Sequence, residues 1–434
     1  VVGGRRSGLS VVAVSLPGMD RVLAVAGYRS LREVVLALGR LTVVTGPNGS
    51  GKSSLYRALR LLADCGQGRV VASLAREGGL QSALWAGPET LGGARRTGVV
   101  QGTVRRGPVS LRLGVAGDEL GYLVDLGLPA QSPAAQTLPP ELRYFLRDPE
   151  IKREAIWRGP VLRPGALAAR RSRRKVELRD DAGRWVVGEA ELPPYASLLT
   201  EYGDAGAAPE LWAMRQRLRA WRFYDTFRAD ADAPARRPAV GTRTLALADD
   251  GSDLAAALAT IIEDGLAPLG EHVADAFEGA RLEITEVAGV FDVVMHQPGM
   301  LRGLRAAELS DGTLRYLLWL AALLTPAPPP LLVVNEPETS LHPVLLGPLA
   351  RLIAAAARRT QVIVVTHSEP LLAALGQEYP DLLGEAVGVG DASDSESAAD
   401  LPAARLVRLV KDTGETRVVG QGLITTPRWE WGHR

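Results

Sequence analysis

Hydrophobic positions along the chain fall into two α/β stretches with a mixed region between them. Arg21-Val22-Leu23-Ala24-Val25-Ala26-Gly27-Tyr28 reads as a strand, and after a charged bend Glu33 to Leu38 reads as another. Leu41-Thr42-Val43-Val44-Thr45 is nearly continuously apolar and ends on glycine, as in a strand covered on both faces. From Ser53 to Ala63, Leu55, Leu59, Leu61 and Leu62 recur at helical spacing. Alternating runs such as Val109-Ser110-Leu111-Arg112-Leu113 and Gly121-Tyr122-Leu123-Val124-Asp125-Leu126 predict an antiparallel sheet over 99–127. Residues 128–250 are punctuated by proline and hold a helical stretch at 210–228; helices at 252–264 and 269–277 follow. The last third alternates again: helix 311–324, strand 330–334, helix 343–358, strand 361–366 and helix 369–376. A closing hairpin over 405–423 turns at Asp412-Thr413-Gly414, and the acidic, glycine-containing segment 381–400 reads as a solvated loop. No internal repeat is visible.

The rhythm predicts one α/β head spanning 1–434. Its N-terminal core half with a β lobe is 19–127, a mixed or helical insertion is 128–304, and the C-terminal core half is 305–434. Prolines interrupt the insertion too often for a continuous heptad arm, so no coiled coil is expected.

Composition narrows the picture by exclusion. Fifty basic residues against 49 acidic ones rule out a globally basic nucleic-acid binder. Cys65 is the single cysteine, which excludes intrachain disulfides and cysteine-rich zinc sites and suits a reducing cytoplasm. The most apolar run, Leu317–Leu324, is far short of the roughly 20 residues of a spanning helix, so no membrane association is expected. Arg5-Arg6 ahead of Gly8–Val14 has the outline of a twin-arginine signal, but a core strand begins soon after and no small-residue cleavage site follows.

The chemistry is concentrated in four short segments. Gly46-Pro47-Asn48-Gly49-Ser50-Gly51-Lys52-Ser53 fits G-x-x-x-x-G-K-[ST] between a buried strand and a helix, which is the context a phosphate loop requires. Its glycines let successive backbone N–H groups curl around phosphate oxygens at a helix N-terminus. Lys52 would reach the β and γ phosphates, and the Ser53 hydroxyl would sit on Mg²⁺. Downstream, Leu331-Leu332-Val333-Val334-Asn335-Glu336 is a buried strand that delivers polar groups at its C-terminal end, where an open α/β sheet places ligands. It looks like a Walker B element with Glu336 as general base and Asn335 facing the metal. Leu309-Ser310-Asp311-Gly312 matches the L-S-x-G signature at the start of a helix, where the Ser hydroxyl can grip a γ-phosphate from outside, and Val364-Val365-Thr366-His367 ends the next strand, placing one catalytic imidazole beside the γ-phosphate as a switch.

Together these segments have the order of ABC-type ATPases. Gly27-Tyr28-Arg29-Ser30-Leu31, the phosphate loop through Ser54, and Asn335-Glu336-Pro337-Glu338-Thr339-Ser340-Leu341-His342-Pro343 resemble the RecF/SMC-related branch. More narrowly, the chain is similar to stand-alone predicted ATPases of the RecF-like AAA group. That resemblance implies Mg²⁺-dependent ATP hydrolysis by a homodimer that sandwiches two nucleotides. Ser310 and Gly312 of one chain would complete the site of the other, with Thr339 to His342 along the seam and Tyr28-Arg29 near the adenine or the opposing signature. It also implies work linked to DNA repair or antiphage defence; the alternative is an ATP-gated scaffold that regulates an unidentified protein partner.

Two features depart from or add to the pattern. Asn335 stands where the wider superfamily has Asp, and an amide contributes no charge, so weak metal affinity and slow turnover are expected. The Q-loop glutamine is open between Gln81 and Gln101. Arg170, Arg171, Arg173, Arg174 and Lys175 form the densest basic run and are the candidate nucleic-acid contact, which Arg95-Arg96 and Arg105-Arg106 could extend. Trp221, Phe223, Tyr224 and Phe227 could stack on bases, although packing is the expected role of such a cluster.

Overall fold

The computed structural model describes residues 18–87, 110–129, 147–180, 182–265, 268–383, 402–422 and 424–432. Arg5-Arg6, Arg95-Arg96, Gln101, Arg105-Arg106 and most of the acidic segment 381–400 lie outside these residues.

Strands β1 (Asp20–Tyr28), β2 (Leu31–Ala37) and β3 (Leu41–Thr45) come first, followed by the helix Lys52–Gly66. β4 (Leu111–Gly117), β5 (Leu120–Gly127), β6 (Glu150–Arg158), β7 (Leu167–Ser172), β8 (Lys175–Arg179) and β9 (Trp185–Val187) then build an antiparallel lobe in the order β2-β1-β4-β5-β6-β7-β8-β9. The lobe thus runs well past residue 127. The segment 128–304, expected to be mixed or helical, contributes four of its strands, because Arg and Glu on these strands pair across the sheet and dilute the apolar alternation.

A second sheet is mainly parallel. β10 (Arg222–Tyr224), β15 (Leu331–Asn335), β16 (Gln361–Val365), β3 and β17 (Ala404–Asp412) lie side by side, and β18 (Glu415–Val418) folds back antiparallel on β17. The expected closing hairpin is therefore also a core element, since β17 pairs in parallel with β3. The helical stretch expected at 210–228 ends earlier: the helix is Pro209–Ala220, and Phe223-Tyr224 enter the sheet as β10. A three-residue strand is too short to show an alternation. A small third sheet holds β11 (Ala239–Val240), β12 (Arg281–Val287), β13 (Val290–His296) and β14 (Leu304–Arg305).

The parallel sheet is buried on both faces. Leu331, Val333, Ile363 and Val44 face one core with the helix Lys52–Gly66 and the antiparallel lobe. Leu332, Val334, Val364 and Val43 face the other with the helices Leu254–Asp264, Asp311–Leu323 and Leu346–Ala357. Burial on both faces accounts for the unbroken apolar runs in the sequence. Among the described residues no helix exceeds the 15 residues of Lys52–Gly66, so no coiled-coil arm leaves this body. None is long and apolar enough to cross a membrane.

Parallel pairing aligns the strand ends. Tyr224 is level with Val334, Asn335 with Val365, and Val365 with Val44. Asp225, Glu336, Thr366-His367 and the phosphate loop consequently emerge from one edge of the sheet, with β16 between the phosphate-loop strand and the Walker B strand.

Candidate functional site

The phosphate loop is held from behind by chain that arrives much later in sequence. A Cβ on Gly46 (φ 152) would lie 2.2 Å from the Leu409 carbonyl oxygen, and one on Gly51 (φ 110) would lie 2.2 Å from Thr416 Oγ1. Thr416 Oγ1 sits 2.7 Å from the Ser50 carbonyl and 2.8 Å from Ser30 Oγ, while its backbone N–H donates to the Ser30 carbonyl. Both glycines thus answer to the close approach of β17 and β18. Gly49 (φ 77) has nothing within 4 Å of its hypothetical Cβ; there only backbone conformation demands glycine. Lys52 Nζ donates to the carbonyls of Gly46 (2.6 Å) and Pro47 (3.2 Å). Burial holds its pKa below that of a free lysine, against the raising pull of Glu336 and Glu338. Ser53 is exposed on the first turn of the helix, Ser54 is half-buried beside it, and Asn48 is exposed at the loop crest.

Glu336 leaves the Walker B strand with φ 48, a left-handed conformation that an L-residue pays about 1–2 kcal/mol to adopt. Its N–H donates to the Val365 carbonyl at 2.7 Å, which holds this kink against the next strand. The kink brings Glu336 Oε1 within 3.3 Å of His367 Nδ1. Glu338 approaches the same ring nitrogen at 3.6 Å from a buried position. Its Oε1 accepts from Thr366 Oγ1 at 2.5 Å and from the His367 N–H at 3.3 Å. Its buried Oε2 has no hydrogen-bond partner among the described residues. The imidazole therefore stands between two carboxylates, one on its own buried shelf and one at the strand end. Ser340, on the segment that follows, is also left-handed, with φ 62.

Asn335 Nδ2 donates to Asp225 Oδ1 at 2.8 Å. The donor set at this edge, a serine hydroxyl, an amide and a carboxylate, consists of hard oxygen ligands of the type Mg²⁺ takes. No group of three or more His, Cys, Asp or Glu among the described residues could hold a metal by itself.

The signature segment opens the helix Asp311–Leu323, and Ser310 caps it: the Thr313 N–H donates to Ser310 Oγ at 3.2 Å. The turn is fixed by Arg236, which is 8% exposed. Its guanidinium donates to the carbonyls of Leu309 (2.7 Å), Ala306 (3.2 Å) and Ala229 (2.8 Å), and to Asp311 Oδ1 (2.6 Å). Neither Ser310 nor Gly312 hydrogen-bonds to the phosphate loop of its own chain. Arg29 (φ 49) turns its side chain to Glu77, with Nη2–Oε2 at 2.6 Å, and the Tyr28 hydroxyl donates to the same carboxylate. Its neighbour Ser30 is the residue that reaches the loop, through Thr416. Beside the loop a cavity of about 540 Å³ opens between Pro47, Asn48, His367, Glu369, Arg408 and Val419.

The basic run does not form a free cationic strip. Arg171 is fully buried with Glu154 at 3.1 Å and donates to the Pro193 carbonyl at 2.7 Å; it is a structural residue and cannot contact a nucleic acid. Alternation along β7 turns it inward, a direction the unbroken run of charges conceals. Arg170 and Lys175 both pair with Glu177, at 2.8 and 2.9 Å, and Arg170 also stacks over Trp185. Arg174 lies 3.8 Å from Glu191, and Arg173 is exposed at the hairpin turn. Trp221, Phe223, Tyr224 and Phe227 are all buried: Trp221 packs on Phe223 in one core, and Tyr224 packs on Phe227, which meets Trp319, in the other, so none is available to stack on a base.

Sequence reasoning missed Arg236 and Thr416 because each acts across a long separation without a local motif; Asp225 closes the segment Trp221 to Asp225, which resembles the stand-alone group, but the sequence assigned it no role. Glu338 lay inside the quoted Walker B segment, where a second acidic residue was its signal.

Residues 41–374 match the family model described as "AAA domain, putative AbiEii toxin, Type IV TA system". No curated protein matches the chain. Among solved structures, the chain is similar to an Smc head bound to the C-winged helix domain of ScpA, with 14% identity and a TM-score of 0.45 over 93% of this chain and 98% of that one. It is also similar to the SMC head domain from Thermotoga maritima, with 13% identity and a TM-score of 0.43 over 93% and 100%. A third similar structure is an Smc head domain with an extended coiled coil bound to the C-terminal domain of ScpA derived from Pyrococcus furiosus, with 13% identity and a TM-score of 0.44 over 93% and 96%.

Proposed function

The chain belongs to this AAA-domain family, and from that premise we propose that it is an ABC-type ATPase of the RecF/SMC-like kind, which binds ATP with Mg²⁺ and hydrolyses it at a site shared by two copies. The observation that carries the reading is the convergence of Lys52, Glu336 and His367 on one sheet edge, with Glu336 bent toward the imidazole at 3.3 Å. The amides of Gly46 to Ser53 cradle the phosphates, and Lys52 exchanges its two carbonyl partners for phosphate oxygens. Ser53 and Asn335 hold the Mg²⁺ side, and bound Mg²⁺ would neutralise charge on the β and γ phosphates. Glu336 accepts the proton of the attacking water. His367, oriented by the Glu338 shelf, fixes the Glu336 carboxylate and faces the γ-phosphate. Ser310 and Gly312 serve the partner's nucleotide, in keeping with their lack of hydrogen bonds to their own loop.

Phosphate release tests this directly. Glu336→Gln is expected to abolish Mg²⁺-dependent hydrolysis while keeping nucleotide binding, and Lys52→Ala to lose the binding. Hydrolysis undiminished by Glu336→Gln would remove the enzyme assignment.

For the cellular role we infer coupling to DNA repair or to defence against foreign nucleic acid, from the resemblance of the site segments to the RecF/SMC-related branch. One observation favours the second reading, an ATP-gated scaffold for a protein partner. Three of the five cations proposed to contact nucleic acid are committed to Glu154 or Glu177. DNA affinity that falls with salt and with neutralisation of Arg173 and Arg174, the two cations outside those pairs, would decide for nucleic acid.

A further inference from the structure

The Walker B strand carries an amide where the ATPase reading calls for a negative charge, and a carboxylate stands beside it on the next strand. β10 pairs with β15 in parallel with Tyr224 level with Val334, so Asp225 and Asn335 leave the sheet together. The two side chains meet at 2.8 Å, amide nitrogen to carboxylate oxygen. An ionised carboxylate only accepts, so this contact fixes the amide orientation chemically: nitrogen toward Asp225, oxygen away from it. Asp225 Oδ1 also receives the Thr226 N–H at 3.0 Å, while Oδ2 accepts no hydrogen bond from a described residue. The residue is exposed at the strand end, on the side of the phosphate-loop helix: Phe223, two residues earlier on the same face of β10, meets the ring of Tyr56, one turn beyond Lys52, at 5.9 Å.

We propose that Asp225 is a positioning residue of this site: from the neighbouring strand it supplies the charge that Asn335 lacks, and it holds the Asn335 amide with the nitrogen toward itself and the oxygen turned away. This rests on the ATPase reading above. The pairing also explains why position 335 is an amide. Two carboxylates at hydrogen-bond distance cannot both be ionised at neutral pH. An Asp at 335 beside Asp225 would raise one of the two and leave the pair with the same single charge. The chain thus carries one carboxylate and one amide across β10 and β15, and it is the position of the charge that differs. The weak metal affinity expected from Asn335 alone does not follow.

The test uses the full chain carrying Glu336→Gln, so that hydrolysis is silent, and a fluorescent ATP analogue titrated with Mg²⁺. Asp225→Asn is expected to raise the Mg²⁺ concentration for half-maximal analogue binding by roughly tenfold or more, the usual size of an outer-ligand loss. The swap Asp225→Asn with Asn335→Asp, which returns the charge from the other strand, is expected to recover most of it. Unchanged Mg²⁺ demand in Asp225→Asn, with analogue binding still abolished by Lys52→Ala, would overturn the role of Asp225 and leave the ATPase reading standing. A well-folded swap that still demands high Mg²⁺ would overturn it too. A parent protein that binds no analogue at any Mg²⁺ concentration would instead remove the ATPase reading itself.

Discussion

Single residues at this site act mostly by holding something else in place. Arg236 shows this best, because a buried guanidinium that donates to five carbonyls and Asp311 fixes both sides of the signature turn. Five donors in a planar fork are needed for that; a lysine ammonium has three donors and no plane. Arg236→Lys is therefore expected to fold and to bind nucleotide at its own phosphate loop with unchanged affinity, yet to hydrolyse more slowly, since the mispositioned Ser310 serves the partner's site. Affinity and turnover measured side by side check this; a loss confined to nucleotide affinity would mean that Arg236 supports the loop and not the signature. Glu336 follows the same logic through its backbone. A left-handed glutamate is tolerated only because the Val365 carbonyl and the flanking buried strands fix its position, and the strain marks where chemistry is needed.

At the scale of elements, the β6–β7 pair separates structural charge from functional charge. Glu154 accepts from the Tyr122 hydroxyl at 2.7 Å, Ser197 Oγ at 2.6 Å and the Leu198 N–H at 2.7 Å, and it pairs with Arg171 inside the sheet. Removing Arg171 leaves this carboxylate buried and unpaired, so Arg171→Met is expected to lose about 3–5 kcal/mol of stability in denaturant unfolding. Adding Glu154→Gln should recover part of the loss; equal losses in the single and double variants would show that the charge is not the cause. The same element shows what the sequence could and could not reveal. Leu41–Thr45, Leu331–Asn335 and Gln361–Val365 were legible because strands buried on both faces must be apolar throughout, and Gly46 to Ser53 because a phosphate cradle restricts residue type at fixed spacing. β7 was not legible, since its inward residue is an arginine. Nor was β10, three residues long, nor the contact of Thr416 with Ser50, which joins positions that no local pattern links.

Over the whole molecule, the sheet order gathers segments from every part of the chain onto one edge, yet the signature turn makes no hydrogen bond to the phosphate loop of its own chain. If Ser310 and Gly312 act on a second chain, the two halves of a site can be damaged on different molecules. A Lys52→Ala chain has a dead loop and a sound signature; a Ser310→Arg chain has the reverse. Each homodimer then holds two broken sites and should be inactive. A mixed dimer holds one site that joins the sound loop of one chain to the sound signature of the other, beside a second site that is doubly broken. Equal mixing should restore roughly a quarter of the wild-type phosphate release if the copies pair at random. The rescue must also fall on dilution, because it depends on association. Activity in the Ser310→Arg protein alone, or no recovery in a mixture that sizing with Mg-ATP shows to be dimeric, would mean that each chain completes its own site.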